Sequence, residues 1–218
     1  MKDYTDGNIA KNLTLIGHFD GGCEPMNPGG VCTAAWVLYD GNTNEKLALE
    51  GKIVRDGRQA KPKDLMATNN YAEYCALGLM LRFLKDHNWK GSIKIYADSK
   101  LVVHQVRRDW KCNAPHLKTL RDRIWALMQE LDLELGDGFD FECFTCGYKG
   151  SMDELVDIGG DDESQDICPK CHNVVSGFMP PSNLSLEWVP REQNEDADAT
   201  GRAAYAHYLK SYPKGPKT

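Results

Sequence analysis

The sequence predicts an α/β protein built on a mixed five-stranded sheet flanked by helices, with a small separate module inserted late in the chain. Three observations carry this. Apolar, β-branched stretches follow one another with short turns between them at Leu13–Asp20, Val31–Asp40 and Leu47–Val54, which reads as an antiparallel meander. The apolar spacing then changes to three and four, and strands alternate with helices from there on. Finally, residues 136–181 have little period of either kind and hold two Cys-x2-Cys pairs.

Each element has its own signal. Leu13–Asp20 is a short apolar run that meets Gly21-Gly22, a turn signal. Val31–Asp40 ends at Gly41-Asn42. Ala72, Cys75, Ala76, Leu79, Met80, Phe83 and Leu84 give a helix over 70–86 with one apolar face. Ser92–Ala97 is a strand, and Ser99 opens a short helix to about Arg107. Pro115 opens a longer helix to Leu133, with Leu117, Leu120, Ile124, Leu127, Met128 and Leu131 on one stripe. Leu184–Val189 is a last strand and residues 194–210 a last helix. The order βββ-α-β-α-α-β-α implies right-handed parallel crossovers after the meander. Residues 13–135 and 182–210 thus form one α/β domain, residues 136–181 an insertion, and residues 1–12 and 211–218 flexible tails.

Composition excludes several classes. At 218 residues, 41% apolar and 27% charged, the chain fits an ordinary folded domain with an insertion, and wholesale disorder is excluded. No apolar run approaches the roughly 20 residues of a membrane helix, and residues 1–12 carry no secretion signal, so a cytoplasmic monomer is expected. Charge is unevenly spread. The net charge is −6, yet residues 136–180 carry −8 on ten acidic and two basic side chains, while residues 85–123 carry +6. A basic stretch beside an acidic module suits a polyanion partner on one face and not the other.

Four acidic positions stand at element ends: Asp20 before Gly21-Gly22, Glu73 early in the first helix, Asp98 after the fourth strand, and Asp196 or Asp198 at the start of the last helix. Each has a local explanation. Asn70-x-x-Glu73 fits a capping box, Asp98 suits a helix cap, Asp20 suits a turn, and Asp196 and Asp198 suit a helix N-terminus. Local explanations do not account for four carboxylates converging on one sheet edge. Gathered there, they repel one another unless cations occupy the centre. Hard oxygen ligands select Mg2+ or Mn2+, and two such ions roughly 3.5–4 Å apart are suited to in-line phosphodiester hydrolysis.

The segments HFDGGCEPMNPGG (18–30), ATNNYAEYCAL (67–77), IYADSKLVV (95–103) and WVPREQNEDADATGRAA (188–204) together resemble type 1 ribonuclease H. The resemblance covers residues 13–135 and 182–210. It implies a metal-dependent endonuclease that hydrolyses the RNA strand of RNA–DNA hybrids with two Mg2+ or Mn2+ ions. It implies Asp20, Glu73, Asp98 and Asp198 as catalytic metal ligands, Asp198 being chosen over Asp196 on the Asn-Glu-x-Ala-Asp run. It also implies that Asn27, Asn69 and Asn70 line the hybrid's minor groove, where the 2′-hydroxyl marks the RNA strand, and that Thr68 meets a DNA phosphate. A compact basic handle is expected to add Lys100, Arg107, Arg108 and Lys111 as phosphate contacts, with Trp110 in the core or against a sugar. His104 and His116 are read as structural.

The chain departs from the family's pattern in the loop before the last helix. Val189-Pro190-Arg191-Glu192-Gln193 contains no histidine, and Arg191 takes its place as a phosphate or metal-release contact. Arginine's pKa, above about 12, rules it out as a proton carrier. Two further readings remain: a nuclease of the same fold acting on DNA or double-stranded RNA, and a non-catalytic adaptor that binds hybrid or protein.

Cys143-x2-Cys146 and Cys168-x2-Cys171, with Gly147 and Pro169 at the knuckles, match a closed structural Zn2+ site. His172 is a less favoured alternative ligand. The module is open to two roles, binding a protein partner or stabilising the domain. Cys23, Cys32, Cys75 and Cys112 are expected to stay reduced, mostly in the core.

Overall fold

Strand-forming residues at Leu15–Glu24 (β2), Val31–Asp40 (β3) and Lys46–Asp56 (β4) build the predicted meander. A computed structural model describes residues 2–4, 12–58, 60, 64–135, 141–143, 145–150, 156–157, 166–175 and 183–213. The chain divides into two units, Met1–Leu133 with Leu186–Thr218, and Glu134–Ser185.

In the first unit, β2 pairs antiparallel with β3, and β3 with β4. After α1 (Asn69–Asp86), strand β5 (Ile93–Ala97) pairs parallel to β2. Helices α2 (Lys100–Val106) and α3 (Pro115–Glu130) follow. Strand β10 (Leu184–Trp188) then adds beside β5, and α4 (Glu195–Ser211) closes the chain. The five predicted strands are therefore all present. A sixth lies at the edge: Lys2–Tyr4 (β1) pairs antiparallel with β4, Lys2 opposite Glu50 and Tyr4 opposite Ala48. Those three residues correct the reading of 1–12 as a flexible tail, because β4 offers an edge ladder for them to complete. Residues 5–11 and 214–218 lie outside the described residues. At the other end, Ser211 continues α4, and the carbonyls of Tyr212 and Pro213 accept hydrogen bonds from Arg58.

The strand β2 shows how sequence sets the layers. Its residues alternate between fully and half-buried, so Phe19 points toward α1 while Asp20 points toward α4. The predicted turn at Gly21-Gly22 is absent: the strand runs on to Glu24, opposite Val31, and the chain reverses over Pro25–Gly30. The glycine serves close approach. A Cβ on Gly21 would lie 2.1 Å from the Glu73 nitrogen, so α1 rests on the strand backbone at this point. Gly21→Ala is expected to lower stability by about 3 kcal/mol or more in urea denaturation, since backbone cannot move aside as a side chain can.

Helix α1 is capped by Thr68, whose hydroxyl accepts from the Tyr71 N–H at 3.1 Å; Asn70 is not the cap. Its buried face is Ala72, Tyr74, Ala76, Leu77, Met80, Leu81 and Leu84, rotated from the predicted stripe. Cys75, Leu79 and Phe83 stay half-buried. On α3 the buried residues are Leu117, Ile124 and Met128, with Leu120 and Leu127 half-buried. Among the described residues no helix is long and apolar enough to cross a membrane.

The second unit contains two short antiparallel strand pairs, Phe141–Glu142 (β6) with Lys149–Gly150 (β7), and Val156–Asp157 (β8) with Asp166–Ile167 (β9). Leu135 and Leu184 form a bridge where the chain enters and leaves it. Most of the acidic run 159–166 lies outside the described residues.

Candidate active site and cysteine cluster

The parallel register of β2 and β5 sets His18 opposite Tyr96. Two residues further along lie Asp20 and Asp98, so both carboxylates reach the same end of the sheet. Glu73 arrives from α1 through the close contact at Gly21. One ligand oxygen from each of Asp20, Glu73 and Asp98 lies within 4.8 Å of the other two. They share a cleft of about 250 Å³ with Asp198, Asn69, Arg191 and Arg202.

Electrostatics make this cluster unfavourable by itself. Burial, then the charges of Asp98 and Asp198, push the Asp20 carboxyl up to about 6. Glu73 is held well above the usual carboxylate range by burial first, then by Asp20 and Asp98. Its Oε2 is buried with no hydrogen-bond partner. An orphaned acceptor beside two further carboxylates is a donor set that fits a hard divalent cation.

Asp198 lines the same cleft but is otherwise engaged. Arg191 reaches its Oδ1 at 2.9 Å and Arg202 its Oδ2 at 2.7 Å. Asp196, two residues earlier on α4, points elsewhere, to Lys46 at 2.9 Å and to the Tyr39 hydroxyl. The helical twist separates the pair.

Sequence reasoning left out three supports. Asn194, at the start of α4, is 1% exposed; its Nδ2 donates to the Phe19 carbonyl at 2.8 Å and to Asp98 Oδ1 at 3.3 Å. It ties α4, β2 and Asp98 together. The Trp188 indole N–H donates to the Asp98 carbonyl at 3.1 Å. Arg202 is the third. Its signal was available, since it stands four residues after Asp198 on one helix.

The predicted substrate contacts are distributed unevenly. Asn69 lines the cleft, and its N–H donates to Asn27 Oδ1 at 3.4 Å. Asn70 is half-buried, and the Thr68 hydroxyl is spent on the helix cap. Lys100 is exposed, with its ammonium 4.1 Å from the centre of the Trp188 ring. Arg107 is half-buried and committed to the Leu186 carbonyl at 3.1 Å and to Asp109 at 3.2 Å, which makes it a structural residue in large part. Arg108 is exposed, in left-handed backbone at φ 71°, with its guanidinium 4.5 Å from the Trp125 ring centre. Lys111 is exposed beside it. Trp110 corrects the core reading. It is 48% exposed and stacks on His104, ring centres 4.5 Å apart, because the turn at Arg108 directs the chain outward.

In the second unit, the sulfurs of Cys143, Cys146, Cys168 and Cys171 all lie within 4.8 Å of one another, with Cys143 to Cys171 at 3.5 Å and Cys146 to Cys168 at 3.8 Å. All four thiols are free. Two equivalent knuckles present them. Gly147 N–H donates to the Cys143 carbonyl at 2.7 Å, and His172 N–H to the Cys168 carbonyl at 2.9 Å. Both residues are left-handed, at φ 68° and 57°. The backbone N–H of Asn173 and its side chain bring the Cys171 thiol down to about 6. His172 thus shapes a knuckle and stands outside the sulfur cluster. Elsewhere Cys23, Cys32 and Cys112 are buried and Cys75 half-buried, all four free.

Comparison with known proteins agrees with this geometry. Residues 19–133 match the family described as reverse transcriptase-like. The uncharacterized protein YpeP of Bacillus subtilis is 31% identical over 107 residues, 44% of this chain; the match spans 47% of that protein, about half its length. Among solved structures, ribonuclease H1 of Halobacterium salinarum superposes with a TM-score of 0.57 at 24% identity, covering 89% of this chain and 98% of that one. The N-terminal ribonuclease H domain of Rv2228c from Mycobacterium tuberculosis gives 0.58 at 21%, covering 92% and 99%. LC11-RNase H1, solved in complex with an RNA/DNA hybrid, gives 0.58 at 20%, covering 89% and 99%. A βββαβαβα core with its carboxylates at one sheet edge, and a family match over more than half the residues, lead to one conclusion: the chain belongs to the reverse transcriptase-like family and has the fold of type 1 ribonuclease H.

Proposed function

We propose that this protein is a divalent-metal-dependent endonuclease that hydrolyses the RNA strand of RNA–DNA hybrids. The observation that carries the reading is the convergence of Asp20, Glu73 and Asp98, with the unpartnered Glu73 Oε2 among them. Fold relatives include an enzyme solved with an RNA/DNA hybrid bound, which supports the substrate class. Asp20, Glu73 and Asp98 would hold a first Mg2+ or Mn2+ ion, and Asp198 with Asp20 a second. Such ions supply Lewis-acid activation of water for in-line attack and stabilise the leaving 3′-oxygen.

The chain's own residues do the rest. Asn194 fixes the Asp98 carboxylate against the sheet. Asn27, on the loop after β2, and Asn69, the first residue of α1, are brought together by hydrogen bonds, the Gly29 N–H donating to the Ala67 carbonyl at 2.8 Å, and offer amides to a minor groove. Arg191 and Arg202, exposed at the cleft, hold Asp198 and present positive charge to a backbone phosphate. Arg191 cannot carry protons, so it acts by charge alone. In the second unit, the sulfur separations suit tetrahedral Zn2+, for which a Zn–S bond of about 2.3 Å implies S···S of roughly 3.8 Å. Four thiolates close the shell, so this ion would hold shape without doing chemistry. Its acidic surroundings suit a protein partner better than a phosphate backbone.

The test is a panel of labelled hybrid, double-stranded DNA and double-stranded RNA, each with Mg2+ and with Mn2+. Cleavage of the RNA strand of hybrid alone is the expected result. Preferential cutting of DNA, or hybrid binding without turnover in either metal, would overturn the reading.

A further inference from the structure

A second cleft of the first unit lies apart from the carboxylate site. It is a groove of about 440 Å³ between α1, α3 and the outer end of β4. Its floor is Val54, Tyr71, Leu79, Leu120, Ile124 and Leu127. Leu79, Leu120 and Leu127 are the residues that helical spacing assigns to the core and that remain half-buried. The apolar stripes of α1 and α3 are thus wider than the core they cover, and the surplus of both helices faces one groove.

Gly78 is a second, independent sign. It sits in the interior of α1, where glycine is the poorest helix former after proline. Packing does not require it: the nearest atom to an added Cβ is Ile124 Cγ1, at 4.0 Å. What the missing side chain preserves is open space above the groove floor.

The rim supplies charge. Lys52, Arg82 and Arg123 border the groove, and among the described residues no acidic side chain lines it. Arg82 shares its charge with Asp86 at 2.9 Å. A wholly cationic rim stands out on a chain of net charge −6. Strand addition at this edge is disfavoured, because β4 is bulged at Val54, between the pairs Thr33–Ile53 and Cys32–Arg55, and carries Lys52. Contact through side chains is the remaining mode.

We infer that the groove between α1 and α3 is a docking site for an amphipathic, acidic segment of a partner protein, its apolar side chains on the leucine floor and its carboxylates against Lys52, Arg82 and Arg123. The site is separate from the carboxylate cleft and does not depend on the hydrolytic reading.

The test uses the full-length protein and three fluorescein-labelled synthetic peptides: one with leucine and phenylalanine at helical spacing among aspartates and glutamates, the same peptide with lysines in place of the acids, and the same with serines in place of the apolar residues. Anisotropy should show saturable, salt-sensitive binding of the first alone. Gly78→Leu fills the groove and should weaken binding at least about tenfold, while Gly78→Ala, which adds helix propensity without filling it, should bind as wild type. Arg82→Glu with Arg123→Glu should reverse the preference toward the lysine peptide. Hybrid binding and cleavage, assayed in parallel, should be the same in Gly78→Leu and wild type. Absence of saturable binding, or equal binding by Gly78→Leu, overturns the proposal. So does self-association in sedimentation that Gly78→Leu abolishes, which assigns the groove to a second copy. Displacement of the acidic peptide by a nucleic-acid duplex overturns it in favour of a phosphate surface.

Discussion

Asp20→Asn is expected to reduce hybrid cleavage by about 10³-fold or more while making the metal-free protein more stable. The two effects have one cause. Burial and the neighbouring Asp98 and Asp198 push Asp20 from an ordinary 3.8 to about 6. The folded state therefore keeps a proton that the unfolded chain has already released. Between pH 4 and 6 the folded form binds more protons, so this group's contribution to stability falls as pH rises. Above about 6 the penalty is complete, at roughly 3 kcal/mol by the usual conversion of a pKa difference. Asparagine removes it, and removes a negative neighbour from Glu73. Urea denaturation in chelator should thus place Asp20→Asn above wild type at neutral pH, with the difference shrinking toward pH 4. Mg2+ should raise wild type and leave the variant unmoved. A variant that loses activity with no gain in metal-free stability would show that the carboxylates do not share a pocket.

Cys168→Ser is the second large expected effect. Among the described residues of the unit Glu134–Ser185, Cys143, Cys168 and Val175 form a small buried cluster, with Cys146, Tyr148 and Cys171 packed against it. The four sulfurs are at the centre of that cluster. Zinc binding in small domains of this kind is worth on the order of 10 kcal/mol or more. Atomic absorption should find one equivalent of zinc per chain in wild type and none in the variant, and residues in this unit of the variant should become labile to protease. Hybrid cleavage should stay within a few-fold, because no cysteine of this cluster belongs to the carboxylate cleft. Acidification should release the ion too. Hydrogen bonds from Asn173 bring the Cys171 thiol of the metal-free cluster down to about 6, which favours the thiolate that zinc needs, and protons compete with the ion for the sulfurs as pH falls. Full zinc retention by Cys168→Ser would contradict a four-sulfur site.

How legible these features were in the sequence depended on the range of the cause. Strands β2 to β5 and β10 and all four helices follow from local period, and their ends fall within a few residues of expectation. The carboxylates were legible because four separated segments had to agree. Gly21 was misread because a glycine pair signals a turn and a close helix approach in the same letters, and only the Glu73 backbone 2.1 Å away distinguishes them. Thr68 and Asn70 are both good caps, and the choice depends on where α1 is anchored. Asn194 escaped notice because its value lies in partners at Phe19 and Asp98, 175 and 96 residues away. Lys2–Tyr4 has no strand signal of its own; β4 supplies the template. The half-buried stripe on α1 and α3 was visible as pattern, but a pattern does not say what covers it.

The point of attachment of the cysteine module sets what an insertion there costs. The Glu134 carbonyl accepts from the Leu184 N–H at 3.2 Å, and Asn183 Oδ1 accepts from the Glu134 N–H at 2.7 Å. The strands leading in and out are thus stapled side by side at the base. The α/β domain thus meets the inserted segment at two neighbouring points of its chain. Doubling the length of such an excursion costs only about 0.6 kcal/mol of closure entropy. Insertions of different length at this point would therefore cost the α/β domain little in closure entropy.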